Sequence, residues 1–275
     1  MPTPTIDDAA AESRLLDVRQ FESELTALVR RIPPGVDPVL DDLREDKTGD
    51  NNYSTSLNRQ VRAFLLYRTY AETGTRFLDW GCRHAWDSCM IRMVNPHASI
   101  EGCDITEEMV EENRSFARMR YTQLTHSWNL PYEDAVFDRI ICSGVLEHVP
   151  ILGASLTEIN RVMVPGGYLI ITFLPNQLSY TEFASRNIFK RGYHRRLYSR
   201  SRLKKLLLEH GFEPIEEGFH QVLPSLTMGH ASIRWQWLGR AIRALFKLDP
   251  IVERIWPLRL FGANLYCIAC KREYI

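Results

Sequence analysis

Apolar and polar residues follow several distinct rhythms along this chain of 275 residues. Between residues 12 and 31, Leu15, Leu16, Phe21, Leu25, Leu28 and Val29 recur at helical spacing on or near one stripe, and Pro33-Pro34-Gly35 ends the run. A second helix is predicted over 56–72, stopping before Gly74. Short apolar runs of strand length then fall at 76–80, 99–104, 121–125, 136–143 and 167–174. Helical periods at 86–94, 106–119 and 153–163 lie between them, and Thr106 with Glu107 and Glu108 gives the second of these an acidic start. Strands alternating with helices predict a parallel sheet with crossover helices on its faces. Pro165-Gly166-Gly167 reads as a tight turn feeding the strongest strand. A helix over 201–210, closed by Gly211, and strands at 212–219 and 264–271 complete a seven-stranded sheet. The 221–262 insertion carries a helix over 231–248, with Trp235, Leu238, Ile242 and Leu245 on one stripe and Arg234, Arg240, Arg243 and Lys247 as its charges.

Residues 1–11 are polar and read as disordered, and 36–53 read as an acidic loop. That divides the chain into an N-terminal helix and loop, 1–53, and an α/β domain, 54–275. A composition 45% hydrophobic and 25% charged suffices for a sizeable core, and a formal net charge of zero names no partner. With six cysteines and no apolar leader in the first residues, a disulfide framework is not expected, and the compartment reads as cytoplasmic. Cys267 and Cys270 fall within one strand, where alternation turns them to opposite faces, so they read as core cysteines. No His, Cys and acid cluster at ligand spacing stands out, so no metal is expected. No apolar run approaches the ~18 residues of a membrane span.

The most informative stretch is Phe77-Leu78-Asp79-Trp80-Gly81-Cys82-Arg83-His84-Ala85-Trp86-Asp87-Ser88. A buried strand ends in an acid, turns on Gly81 and opens a helix whose unpaired N–H groups suit an anionic group. The next strand ends in Asp104, placed to hold ribose hydroxyls. Such an acid–turn–helix can equally be an ordinary strand-end turn.

Downstream come Asn129-Leu130-Pro131-Tyr132, Phe137-Asp138, Leu146-Glu147-His148-Val149 and Pro165-Gly166-Gly167, in that order. This series resembles the class I S-adenosylmethionine-dependent methyltransferases, in particular the small-molecule branch with ubiquinone-type and sugar methyltransferases. The resemblance covers about 75–220 and the last strand. It implies a Rossmann-like, mostly parallel seven-stranded sheet with an N-terminal helical cap and a helical insertion or lid before the last strand. It also implies S-adenosylmethionine as cofactor and S-adenosylhomocysteine as product. On it, Asp79 and Gly81, with Cys82 and Arg83, hold the methionine end. Asp104 binds ribose, Ile105 packs on adenine, His126, Ser127 and Trp128 flank it, and Ser143 adds to the set. Arg83 and Ala85 stand where the family loop carries glycine, and a non-glycine residue is comfortable only at negative φ.

A sulfonium donor brings an activated methyl, so the protein need only align a nucleophile and manage one proton. His148, past the fourth strand, and His194, after the fifth, are the candidate catalytic bases, each with a packing role as the alternative. Glu147 reads as structural, and Tyr180 and Tyr198 as further wall candidates. From Arg186 to Lys205 the chain has many basic residues and no acid, which fits either a solvated face or an anionic acceptor. Nucleic acid is not expected as a partner. The 231–248 helix reads as a lid before a membrane-surface contact. The expected activity is methyl transfer to a hydroxyl oxygen of a small, sugar- or natural-product-like molecule. A degenerate, non-catalytic binding subunit is the alternative that Arg83 and Ala85 raise.

Overall fold

The computed structural model describes residues 18–29, 55–107, 110–187, 194–223 and 248–273. The expectations for residues 1–11, Leu15, Leu16, the 36–53 loop, Glu108 and the 231–248 helix fall outside these.

Seven strands form one sheet: β1 (Arg76–Trp80), β2 (Ser99–Asp104), β3 (Arg120–Gln123), β4 (Phe137–Ser143), β5 (Met163–Pro175), β6 (Phe212–His220) and β7 (Asn264–Lys271). Their order is β3-β2-β1-β4-β5-β7-β6. The pairs from β3 to β5 are parallel, and β7 runs antiparallel between β5 and β6. The helices are α1 (Val18–Val29), α2 (Thr55–Tyr70), α3 (Trp86–Val94), α4 (Glu111–Ala117), α5 (Leu152–Val162), α6 (Tyr180–Asn187), α7 (Arg200–Glu209) and α8 (Asp249–Val252).

Alternation along the buried strands splits the core in two. Phe77, Ile100, Ile141, Ile170 and Ile268 join α1 to α4 on one face. Leu78, Trp80, Ile140, Leu169 and Cys267 join α5 and α7 on the other. The N-terminal helix is part of the first core: Phe21 stacks on Phe64 of α2 with ring centroids 4.2 Å apart. Asn95, just past α3, donates from Nδ2 to the carbonyls of Ala71, Glu72 and Gly74, at 3.2, 3.0 and 2.7 Å. It thereby satisfies the open C-terminal end of α2. Cys267 is buried and Cys270 half-buried, both as free thiols.

Two expected boundaries move. The helix expected from Thr106 begins at Glu111, because Asp104 Oδ1 accepts the Thr106 N–H at 3.1 Å and Val110 is still extended; Glu111 and Glu112 form its acidic first turn. Pro165-Gly166-Gly167 lies inside β5 as an irregularity against β4, not before the strand. A Cβ on Gly167 would meet the Val164 carbonyl oxygen at 2.9 Å, so only glycine lets the strand fold over itself there.

The strand order reverses between β1 and β4. Their carboxyl ends therefore diverge and leave a crevice, the usual place for a ligand in an open α/β sheet.

Candidate functional site

A cavity of about 690 Å³ opens at that crevice, within the ~300–1,000 Å³ of small-molecule sites. Its floor is the loop after β1. Gly81 N–H and Cys82 N–H both donate to Cys103 O, at 2.8 and 3.2 Å, which prolongs the β1–β2 pairing into the turn. Gly81 has φ 75, and a Cβ there would stand 2.5 Å from Val145 Cγ2. Arg83 and Ala85, the two departures from the glycine pattern, have φ 39 and φ 60. The expectation of a comfortable negative φ is thus overturned: the backbone keeps the glycine path and the side chains bear it, at about 1–2 kcal/mol each. What holds Arg83 there is its N–H, donated to Asp104 Oδ2 at 2.9 Å, and Ala85 is fully buried as the residue that opens α3.

Asp104 lines the cavity with its carboxylate braced by Arg83 N–H and Thr106 N–H, one to each oxygen. A carboxylate accepts about four hydrogen bonds, so both oxygens keep capacity for a ligand diol. Ile105 beside it is 63% exposed, an apolar side chain held open on the cavity wall. His126 and Trp128, which also line the cavity, stack with centroids 4.6 Å apart, and Ser127 and Ser143 line it too. Gly81, Cys82, Arg83, Asp104, Ile105, His126, Ser127, Trp128 and Ser143 are all brought together at the cavity.

Asp79 is the exception. It is buried behind the loop, where its Oδ2 accepts from Ser88 N–H at 3.1 Å and Ser88 Oγ–H at 2.6 Å, tying the end of β1 to the first turn of α3. Burial, then the charge of Asp87, pushes its carboxyl up to about 8. Asp87, one residue before Ser88 in α3, lines the cavity instead and accepts from the buried Tyr67 hydroxyl of α2. Burial and the Asp87 charge hold that phenol well above its usual range. An acid in the first turn of the helix after the glycine loop was the available signal for Asp87.

Phe173 and Trp86 also line the cavity. Phe173 has φ 56 at a register shift of β5 against β7, a bulge no sequence rhythm announces. The buried Trp86 Nε1–H has no hydrogen-bond partner among the described residues, which leaves a donor for a ligand at the wall. The Leu130-Pro131-Tyr132 turn is pinned to α5: Glu158 Oε2 accepts Leu130 N–H at 3.0 Å, and Arg161 donates to the Leu130 and Tyr132 carbonyls.

At the far end of the cavity stand His148 and His194, ring centroids 6.0 Å apart, with Glu147 between the loop and the core. Glu147 is buried, with Oε1 3.7 Å from His148 Nε2. Burial, then the neighbouring His194, lowers the His148 pKa, which favours its neutral ring. His194 Nδ1 lies 2.5 Å from Glu182 Oε1 of α6, an acid that sequence reasoning missed because twelve residues part it from its partner. One ring nitrogen of each histidine and one Glu147 oxygen lie within 4.8 Å of one another. Sequence spacing does not show this grouping, because His194 joins Glu147 and His148 only through the fold.

Tyr180 and Tyr198 do not line the cavity. Tyr198 is fully buried and donates to Leu146 O at 2.9 Å, steadying the loop that carries His148. Much of the basic run is engaged internally: Arg196 donates to the Val149 and Pro150 carbonyls, Arg200 pairs with Glu217, and Arg186 with Glu182. Among the described residues no helix is long and apolar enough to cross a membrane.

Residues 52–217 match a protein family described as a methyltransferase domain. The demethylmenaquinone methyltransferase of Staphylococcus haemolyticus is 30% identical over 125 residues, 44% of this chain and 52% of that protein. The chain thus spans about half the length of the curated relatives it matches. Among solved structures, an S-adenosylmethionine-dependent methyltransferase from Archaeoglobus fulgidus superposes with TM-score 0.54 at 20% identity, over 78% of this chain and 94% of its own. The cyclase SpnF reaches TM-score 0.57 at 18% identity, over 94% of this chain and 97% of its own. At such identities the superpositions speak for the fold alone.

Proposed function

This chain belongs to the methyltransferase-domain family, and from that premise we propose that it transfers a methyl group from S-adenosylmethionine to a small or mid-sized acceptor. The observation that carries the reading is the cavity at the carboxyl ends of β1, β2 and β4, with a braced diol acceptor, Asp104, beside an exposed apolar wall, Ile105. That pairing suits a nucleoside: hydroxyls on the carboxylate, a flat base on the isoleucine. Asp87 and the Trp86 N–H, which has no partner among the described residues, offer an acid and a donor to the amino-acid end. The bound cofactor supplies an activated methyl; the chain's own residues position the acceptor and handle its proton. The acceptor proposed is a hydroxyl oxygen of a sugar- or natural-product-like molecule, held at the His148 and His194 end. An imidazole there can take the proton or orient the hydroxyl.

A quinone-type ring is a second reading for the acceptor, favoured by the likeness to demethylmenaquinone methyltransferases. The non-catalytic alternative loses its main support, since Arg83 and Ala85 keep the loop's backbone path. Calorimetric titration with S-adenosylhomocysteine tests the core of the proposal. Binding that weakens in Asp104→Asn supports it, and no heat at millimolar ligand overturns it. Release of S-adenosylhomocysteine with a panel of hydroxylated sugars, phenols and hydroquinones then separates the two acceptor classes.

A further inference from the structure

We propose that Glu147, His148 and His194 form a binding site for one borderline first-row divalent cation, Zn²⁺ in the first instance, at the acceptor end of the cavity. Three groups on two separate segments converge there, and each is of ligand chemistry: two imidazoles and a buried carboxylate. The distances fit. Ligand atoms on a tetrahedral zinc with bonds of about 2.0–2.1 Å stand about 3.4 Å apart, and Glu147 Oε1 and His148 Nε2 are separated by 3.7 Å. Two imidazoles on such an ion have ring centroids about 5 Å apart, so the observed 6.0 Å needs only about 1 Å of closure.

A fourth residue makes the cluster more than a coincidence of positions. Glu182 Oε1 lies 2.5 Å from His194 Nδ1, so a carboxylate stands behind this imidazole. A carboxylate behind a ligating histidine is the arrangement that orients metal-bound imidazoles and raises their basicity. Arg186, paired with Glu182, braces it in turn and also donates to the His194 carbonyl. The loop with His148 and the segment with His194 are joined by Arg196, which donates to the Val149 and Pro150 carbonyls. Both ligand-bearing segments are therefore held in register before any ion arrives.

Two nitrogens and one oxygen select against Mg²⁺ and Ca²⁺, which prefer all-oxygen shells, and toward zinc and its imidazole-binding neighbours cobalt and nickel. Three protein ligands leave a coordination position open, and it faces the cavity. An acceptor hydroxyl bound there loses its proton to water at neutral pH. Its oxygen then forms the new C–O bond as the methyl C–S bond breaks, and the electron pair stays on sulfur. The overall change is alcohol plus sulfonium giving methyl ether, thioether and one proton. This role rests on the methyl-transfer reading above, whereas the site itself stands on its own geometry. A nitrogen bound to the ion cannot also accept the proton, so the site replaces a histidine general base.

The test is cation binding to the chelator-treated full chain, read without any cofactor. Cobalt(II) should bind one to one with visible d–d bands of a four- or five-coordinate site, and zinc should displace it while magnesium does not. His148→Ala and His194→Ala should abolish the bands. Glu182→Gln, which touches no ion, should weaken binding about 10–100-fold. His148 is exposed, so His148→Ala with an unchanged thermal midpoint separates lost ligation from lost folding. No cobalt spectrum, or a spectrum unaltered by both histidine variants, overturns the site. Binding without chelator-sensitive methyl transfer overturns the proposed role and leaves the site standing. Methyl transfer that survives complete chelation supports the histidine base instead.

Discussion

Replacing Arg83 by glycine should make this protein more stable, although it deletes a long side chain from the edge of the site. Arg83 sits at φ 39, where its Cβ crowds the following carbonyl. Relief of that contact is worth about 1–2 kcal/mol. Glycine gives back about 0.4–1 kcal/mol through the freer unfolded chain. The net is about 0.5–1 kcal/mol in favour of the variant, since the exposed side chain surrenders little buried area. For a domain of this size 1 kcal/mol moves the midpoint by about 2–4 °C, so Arg83→Gly should melt roughly 1–4 °C higher. Arg83→Ala is the control: it removes the guanidinium but keeps the Cβ and the strain, and should melt within about 1 °C of the parent. Differential scanning calorimetry of the three proteins, with and without saturating S-adenosylhomocysteine, reads the outcome. If glycine lowers the midpoint, or if alanine and glycine raise it equally, the strain account is wrong. If the ligand-induced upshift shrinks equally in both variants, the guanidinium itself contributes to binding.

Other consequences follow from neighbouring residues. The Asp79 carboxyl, raised to about 8 against an unfolded value of about 3.9, holds its proton in the folded state through that window. Its contribution to stability is complete below about pH 4 and is lost as pH rises through 8. Asp79→Asn, which does not titrate and can still accept from Ser88, should gain on the parent from pH 5 to pH 8, by on the order of 1 kcal/mol per pH unit. Denaturant melts at three pH values check it, and a gap independent of pH would refute it. Asp104→Asn should weaken S-adenosylhomocysteine binding by about 1.5–3 kcal/mol, the worth of hydrogen bonds to a charged group, with adenine alone affected less; equal losses for both ligands would contradict the diol assignment. Ser199 Oγ accepts Arg202 N–H at the start of α7, so Ser199→Ala should cost about 1 kcal/mol in urea unfolding with an unchanged m-value.

Most of the scaffold could be read from the chain because buried parallel strands are short, apolar and regularly spaced. The bounds of β2, α3 and β7 match the apolar pattern residue for residue. What local rhythm hid were features set by contacts distant in sequence. Phe173 reaches the cavity through a bulge against β7, and Glu182 meets His194 twelve residues further along the chain. Asp79 illustrates the converse. Its place at a strand end pointed to the ligand, yet burial behind α3 makes it a brace, and the neighbouring helix supplies the facing acid, Asp87. Positive φ at Arg83 and Ala85 is a further case, since side-chain identity alone argued against the backbone path that the Asp104 carboxylate enforces.

Asn95 carries a consequence beyond the end of α2 that it closes. That helix also supplies Tyr67, whose hydroxyl fixes Asp87 at the cavity. The opening of α2, measured as exchange of its amide protons, is therefore thermodynamically linked to occupancy of a crevice built mostly from strands. A ligand that needs Asp87 in place slows exchange along α2 in proportion to its free concentration over its dissociation constant, without touching most of the helix. Conversely, Asn95→Ala loosens α2 at its C-terminal end, next to Tyr67, and should be felt as a weaker ligand and a faster-exchanging helix together.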